Sequence, residues 1–135
     1  FIVQAGTTSA FIHRYPLYRW AIGPDMAMTV AELLVYEGLY ILSFVFLEAF
    51  FRGYLLFALE KGLGLYCLAI MSVPYVCGHF GKPEPEALGA ILAGIALGWF
   101  ALKHRSIWLG ALLHIGMAVI MDTMALTGRG ILITW

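Results

Sequence analysis

The sequence predicts an all-α protein, a polytopic transmembrane helical bundle of about four spans with an N-terminal interfacial segment. Two observations lead there. Apolar residues make up 62% of the 135 positions and charged residues 12%, against about 45–50% and about 25% in soluble domains, and mean hydropathy is +0.90. The apolar residues also form runs long enough to cross the roughly 30 Å hydrocarbon layer of a bilayer. Eight basic and eight acidic side chains cancel, which excludes a basic nucleic-acid surface and an acidic tail.

The expected organisation is an interfacial lead-in over 1–25, a transmembrane helical core over 26–126 and a C-terminal tail over 127–135. The chain starts at Phe1 with no basic n-region and cleavage site ahead of it, so helices upstream of residue 1 are allowed for. In the lead-in, Phe11, His13, Arg14, Tyr15, Tyr18, Arg19 and Trp20 set rings beside basic groups, the composition of a headgroup-level segment. Pro24 with Asp25 reads as a helix start. A first helix is expected from Met26 to Leu59, about 50 Å long at about 1.5 Å per residue, with Glu32 and Glu37 wet near the headgroups and Gly62 and Gly64 ending it. A second span covers Leu63 to Gly78, kinked at Pro74. The loop from His79 to Glu86 holds Pro83 and Pro85 and is stiff. A third span, Glu86 to Leu102, carries Gly89, Ala93, Gly94 and Gly98, small residues that let helices approach closely. Lys103-His104-Arg105 reads as a wet basic turn. A fourth span, Ser106 to Leu126, holds His114 and Asp122. Cys67 and Cys77 lack C-x-x-C spacing and read as small hydrophobes.

Glu48 and Arg52 stand four residues apart in the apolar run Phe46-Leu47-Glu48-Ala49-Phe50-Phe51-Arg52-Gly53. On a helix that spacing stacks them on one face. An ionisable pair at membrane depth marks a functional site by default, because charges there face a protein interior or a water-filled cavity. Counting about 1.5 Å per residue from the membrane face of Lys61 and Lys103 puts Glu48, His79, His114 and Asp122 about 18, 22, 13 and 24 Å deep. They fall in one band and are expected to share a cavity. There a carboxylate or imidazole acts as general base on a water, while a second imidazole and a guanidinium stabilise charge on a carbonyl oxygen. Zinc on His79, His114 and Glu48 is the alternative, weakened by the lack of H-E-x-x-H. Each group also has a local explanation: an internal ion pair for Glu48 and Arg52, a bond to freed carbonyls for His79, a bond across to a neighbouring helix for His114.

Glu48-x-x-x-Arg52-Gly53, then Tyr75-x-x-x-His79, then Ser106-Ile107-Trp108 leading into Leu112-Leu113-His114 resemble the motifs of the CAAX protease and bacteriocin-processing (CPBP) family of intramembrane glutamic endopeptidases, over about residues 30–126. The resemblance implies a metal-independent protease without a cofactor, in which glutamate and histidine activate water and a histidine and an asparagine on later helices form the oxyanion site. Carried onto this chain, it makes Glu48 and His79 the base, Arg52 the residue that positions Glu48, and His114 the donor to the oxyanion. Two positions depart from the pattern. Leu47 stands where the family has the first of two adjacent glutamates, and Ala118 where it has asparagine. Glu84, Glu86 and Asp122 are the candidates to compensate for Leu47. Tyr75 for phenylalanine reads as a mild change.

Two functional classes follow: an intramembrane protease cleaving a membrane-associated peptide or prenylated protein, and a catalytically inactive relative serving as a subunit or scaffold of a larger membrane complex. Membrane lipid is an expected partner in both, other membrane subunits in the second, and a prokaryotic inner (cytoplasmic) membrane is the expected location.

Overall fold

The computed structural model describes Tyr15 and residues 27–82 and 84–134. Apart from Tyr15, the expected interfacial lead-in, with Pro24 and Asp25, lies outside the described residues. The elements run β1 (Ala27–Thr29), α1 (Val30–Glu48), a π-helical segment (Ala49–Leu55), α2 (Leu56–Leu63), α3 (Tyr66–Cys77), α4 (Glu84–His104), α5 (Trp108–Gly128) and β2 (Leu132–Thr134). The all-α bundle is as expected. Three helical runs are long and apolar enough to cross a membrane: Val30–Leu63, Glu84–His104 and Trp108–Gly128. The expected second span is the shorter α3, 12 residues, about 18 Å of helix.

Burial is inverted relative to a soluble protein. Glu48, Arg52 and Asp122 are 0% exposed, while Leu92 is 74% and Leu88 66% exposed. Large aliphatics outside and charges inside follow when the surrounding solvent is hydrocarbon, where an unpaired charge is costly and a leucine costs nothing to expose. The chain is an integral membrane protein.

The chain forms two compact units, one of residues 44–114 and one of 1–43 with 115–135. In the second, α1 starts at Val30, four residues after the expected Met26. Thr29 and Glu32 make a reciprocal cap: the Thr29 backbone N–H donates to Glu32 Oε2 at 2.8 Å, and the Glu32 N–H donates to Thr29 Oγ1 at 3.2 Å. This T-x-x-E capping box supplies partners for donors that the first helical turn leaves open. The residues just before it are extended, because Ala27–Thr29 pair in parallel with Leu132–Thr134 of the tail. Met28, Leu126 and Ile131 form a small core with Leu33 packed against it, and Tyr15 packs with Ala125. Glu37 is not simply wet: it is half-buried and lines an apolar groove of about 360 Å³ with Leu33, Ile41 and Val119.

In the 44–114 unit, α3 packs on α4 through two of the four small residues. A Cβ added at Gly94 would lie 3.1 Å from Ser72 Oγ and from Tyr75 Cδ1, and one at Gly98 would lie 2.8 Å from Leu68 Cδ2. Gly89 has nothing within 4 Å and takes no part. The core between these helices is Leu56, Cys67, Met71, Tyr75, Ala90, Ala101 and Leu102. Cys67 is buried there as expected, and Cys77 is exposed. The basic turn after α4 is partly engaged: Arg105, with φ of +51°, donates to both oxygens of Glu60 at 2.5 and 2.9 Å. That bidentate pair holds a backbone conformation that side chains other than glycine disfavour.

The contrast between the α4 glycines gives a direct test. Gly98→Leu is expected to cost about 1–3 kcal/mol by overpacking, read as a lower unfolding midpoint in detergent, whereas Gly89→Leu leaves the midpoint unchanged.

Candidate active site

Glu48 is the last residue of α1, and Arg52 lies in the π-helical segment that follows. The Leu56 N–H closes that segment by donating to the Phe51 carbonyl five residues back. π-Helical turns are rare and recur at functional sites, because the extra residue re-aims side chains relative to the flanking helix. Across this wider turn Arg52 Nη1 still donates to Glu48 Oε1, and both side chains are fully buried.

The start of α5 delivers the next group. His114 Nδ1 lies 2.7 Å from Glu48 Oε1, out of line for a well-formed hydrogen bond. One turn earlier on the same helix face, Gly110 makes room for the carboxylate. A Cβ there would fall 2.9 Å from Glu48 Cδ and closer still to Oε2. The Phe44 ring flanks His114 at 5.5 Å between centroids.

From α3, Tyr75 joins the remaining groups. Its ring lies 4.6 Å from the Arg52 guanidinium carbon, a cation–π contact worth most where water is excluded. Its hydroxyl is 2.8 Å from His114 Nε2. Its backbone carbonyl accepts from His79 Nδ1 at 3.0 Å, and the Tyr75 and His79 rings are 4.9 Å apart. His79 Nε2 is left as the lone-pair side of that imidazole. Burial pushes the His79 pKa below its ordinary 6.5; the bond to the Tyr75 carbonyl opposes this, Lys82 adds to it, and Glu86 opposes it. His79 is therefore held as a neutral base. Around the ion pair, Glu48 Oε2 and Arg52 Nε and Nη2 are buried with no hydrogen-bond partner among the described residues. One acceptor and two donors thus keep unused bonding capacity beside the imidazoles.

Four of the sequence candidates, Glu48, Arg52, His79 and His114, are brought together in one unit. The carboxylate meets His114, and His79 is linked to the set through Tyr75, whose ring neighbours both imidazoles. Asp122 belongs to the other unit, where the Tyr36 hydroxyl donates to its Oδ2 and both residues are buried. Glu84 is exposed in the first turn of α4, where the helix dipole favours a carboxylate. Glu86 is tied to Lys82 at 2.6 Å and reaches His79 through its field alone. Leu47 packs against the apolar core of Leu56, Cys67 and Met71, so its surroundings call for no charge, and Ala118 is buried. Among the described residues no three His, Cys, Asp or Glu side chains are arranged to hold a metal ion.

Sequence reasoning passed over Gly110 and read Tyr75 as no more than a mild change from phenylalanine. The signals were a hydroxyl added to a motif phenylalanine, and a glycine one helical turn before a histidine.

A family model described as type II CAAX prenyl endopeptidase Rce1-like matches residues 29–120. No curated protein and no solved structure matches the chain.

Two outcomes are expected of this geometry. Gly110→Ala displaces the Glu48 carboxylate and lowers the unfolding midpoint, while Gly116→Ala, with nothing within 4 Å, does not. Because the folded state disfavours the proton on His79, the unfolded chain binds more protons around and below pH 6.5. Stability is then full above that range and declines as the pH falls through it. A His79→Gln variant should show a shallower decline when unfolding is followed between pH 7.5 and 5.

Proposed function

The chain belongs to the Rce1-like family of type II CAAX prenyl endopeptidases, and from that membership we propose that it is an intramembrane endopeptidase that hydrolyses a membrane-associated peptide or prenylated protein with a water activated by glutamate and histidine. The observation that carries this reading is a fully buried Glu48–Arg52 pair with His114 at 2.7 Å, in which Glu48 Oε2 and Arg52 Nε and Nη2 have no hydrogen-bond partner among the described residues. Local satisfaction alone gives no reason for a buried pair to keep such atoms.

In this reading Glu48 and His79 share the work of base. The water proton passes to the Glu48 carboxylate or to His79 Nε2 as the water oxygen bonds to the peptide carbonyl carbon. Charge gathers on the carbonyl oxygen, where Arg52 N–H groups and His114 stabilise it. The C–N bond then breaks, the carbonyl re-forms as a carboxylic acid, and the amine leaves with the proton returned by the base. Arg52 also holds Glu48 in place, and no metal ion takes part. We assign the protein to a prokaryotic inner (cytoplasmic) membrane.

A second reading, an inactive relative in a membrane complex, draws support from Leu47 in its apolar packing and from an exposed strip of Phe46, Phe50 and Tyr54 at four-residue intervals on the long helix.

Purified protein assayed against prenylated and leader peptides separates the two. Cleavage is expected in the wild type, unaffected by a chelator, and lowered about 10²–10⁴-fold in Glu48→Gln and in His79→Ala. Cleavage that survives both substitutions removes the assigned base, loss of activity with chelator moves the reading to zinc, and an inert wild type leaves the scaffold.

A further inference from the structure

The proposed mechanism gives Tyr75 no role, yet three members of the site touch it. We infer that Tyr75 is a positioning residue: its hydroxyl donates to His114 Nε2 and so holds in place a ring whose proton sits on Nδ1, against Glu48. The assignment follows from what each ring nitrogen faces. Nδ1 lies 2.7 Å from Glu48 Oε1. Two lone pairs at that separation would repel, so Nδ1 carries hydrogen, and an N–H there is favourable even out of line. Nε2, 2.8 Å from the Tyr75 hydroxyl, then either accepts from the phenol or carries a second hydrogen. A second hydrogen would place an imidazolium beside Arg52 with one carboxylate between them, leaving a buried surplus positive charge. The neutral ring, accepting at Nε2, satisfies both neighbours.

The result is a directed arrangement: the Tyr75 hydroxyl donates to His114 Nε2, the Nδ1–H stands beside Glu48 Oε1 but out of line with it and so remains the donor for the carbonyl oxygen, and Arg52 donates to Oε1. Glu48 Oε1 is flanked on two sides, which turns the unpartnered Oε2 into the oxygen left for chemistry. The Tyr75 carbonyl sets the other imidazole in the same sense, holding hydrogen on His79 Nδ1 and leaving Nε2 as the acceptor. A single residue thus orients both histidines, and the phenylalanine that stands at this motif position in the resembled family supplies only the backbone half. Tyr75 is 2% exposed, and it acts through His114 instead of touching substrate.

The test uses the full chain in detergent micelles, labelled with ¹⁵N-histidine, with His114→Asn to assign the signals. At neutral pH wild-type His114 is expected to be protonated at Nδ1 and bare at Nε2. In Tyr75→Phe, which keeps the ring over Arg52 and the carbonyl bond to His79, Nε2 loses its donor, and its signal should move downfield toward that of a bare nitrogen accepting no hydrogen bond. A wild-type ring protonated at Nε2, or a spectrum that does not change in Tyr75→Phe, overturns the inference. The kinetic consequence rests on the proteolytic reading: kcat falls about 10–100-fold with KM unchanged, as when an outer hydrogen-bond partner of an active imidazole is removed. Unchanged kcat in a cleaving enzyme also overturns the positioning role. A wild type that cleaves nothing defeats the proteolytic reading and leaves the nitrogen spectra to decide the tautomer.

Discussion

A carboxylate and a guanidinium held together inside hydrocarbon govern the local architecture of residues 44–114. Neither charge is tolerable there alone, and breaking such a buried pair by removing one partner costs about 3–5 kcal/mol. Several other features serve that pair. The π-helical segment re-aims Arg52, Gly110 clears the space beside the Glu48 carboxylate, and the Tyr75 ring supplies a face for the guanidinium where water would otherwise solvate it. The electrostatic requirement explains why one glycine on α5 and one aromatic on α3 matter more than the apolar residues around them.

The membrane explains how these side chains are positioned with so small a core. Between helices surrounded by lipid there is no hydrophobic gain from contact, so association relies on close packing and interhelical hydrogen bonds. Gly94 and Gly98 bring α4 against α3, which sets the height of Tyr75, and the Tyr75 carbonyl in turn sets His79. Large aliphatic side chains stay on the lipid face, and the polar groups are left to satisfy one another. A site built this way consists mostly of directed contacts, and small changes in shape at a glycine are felt at the carboxylate.

The geometry also separates two roles that a single sequence run together. Glu48 and Arg52 are structural in the sense that each neutralises the other. They are chemically interesting in the sense that Oε2, Nε and Nη2 retain bonding capacity. Asp122, equally buried, has the Tyr36 hydroxyl on its Oδ2.

What the sequence determined by itself was the solvent, the helices and four side chains, Glu48, Arg52, His79 and His114, that the fold places in one unit. Composition identifies lipid as the surroundings because apolar excess is additive and needs no fold to be counted. The i, i+4 spacing of Glu48 and Arg52 survives even a π-helical turn, because neighbours one turn apart on a helix are set by local geometry. Histidines 79 and 114 were legible because imidazoles beside apolar spans are rare. Tertiary structure alone decided which of them meets the carboxylate, that Asp122 takes Tyr36 as its partner, and that α1 begins at a Thr29–Glu32 cap beside a strand paired with the tail. Those outcomes depend on helix rotation, and a rotation of one residue is about 100°. Depth counted along the chain carries no information about azimuth, so a tyrosine hydroxyl and a missing Cβ, both invisible to periodicity, determine how the imidazoles and the carboxylate meet.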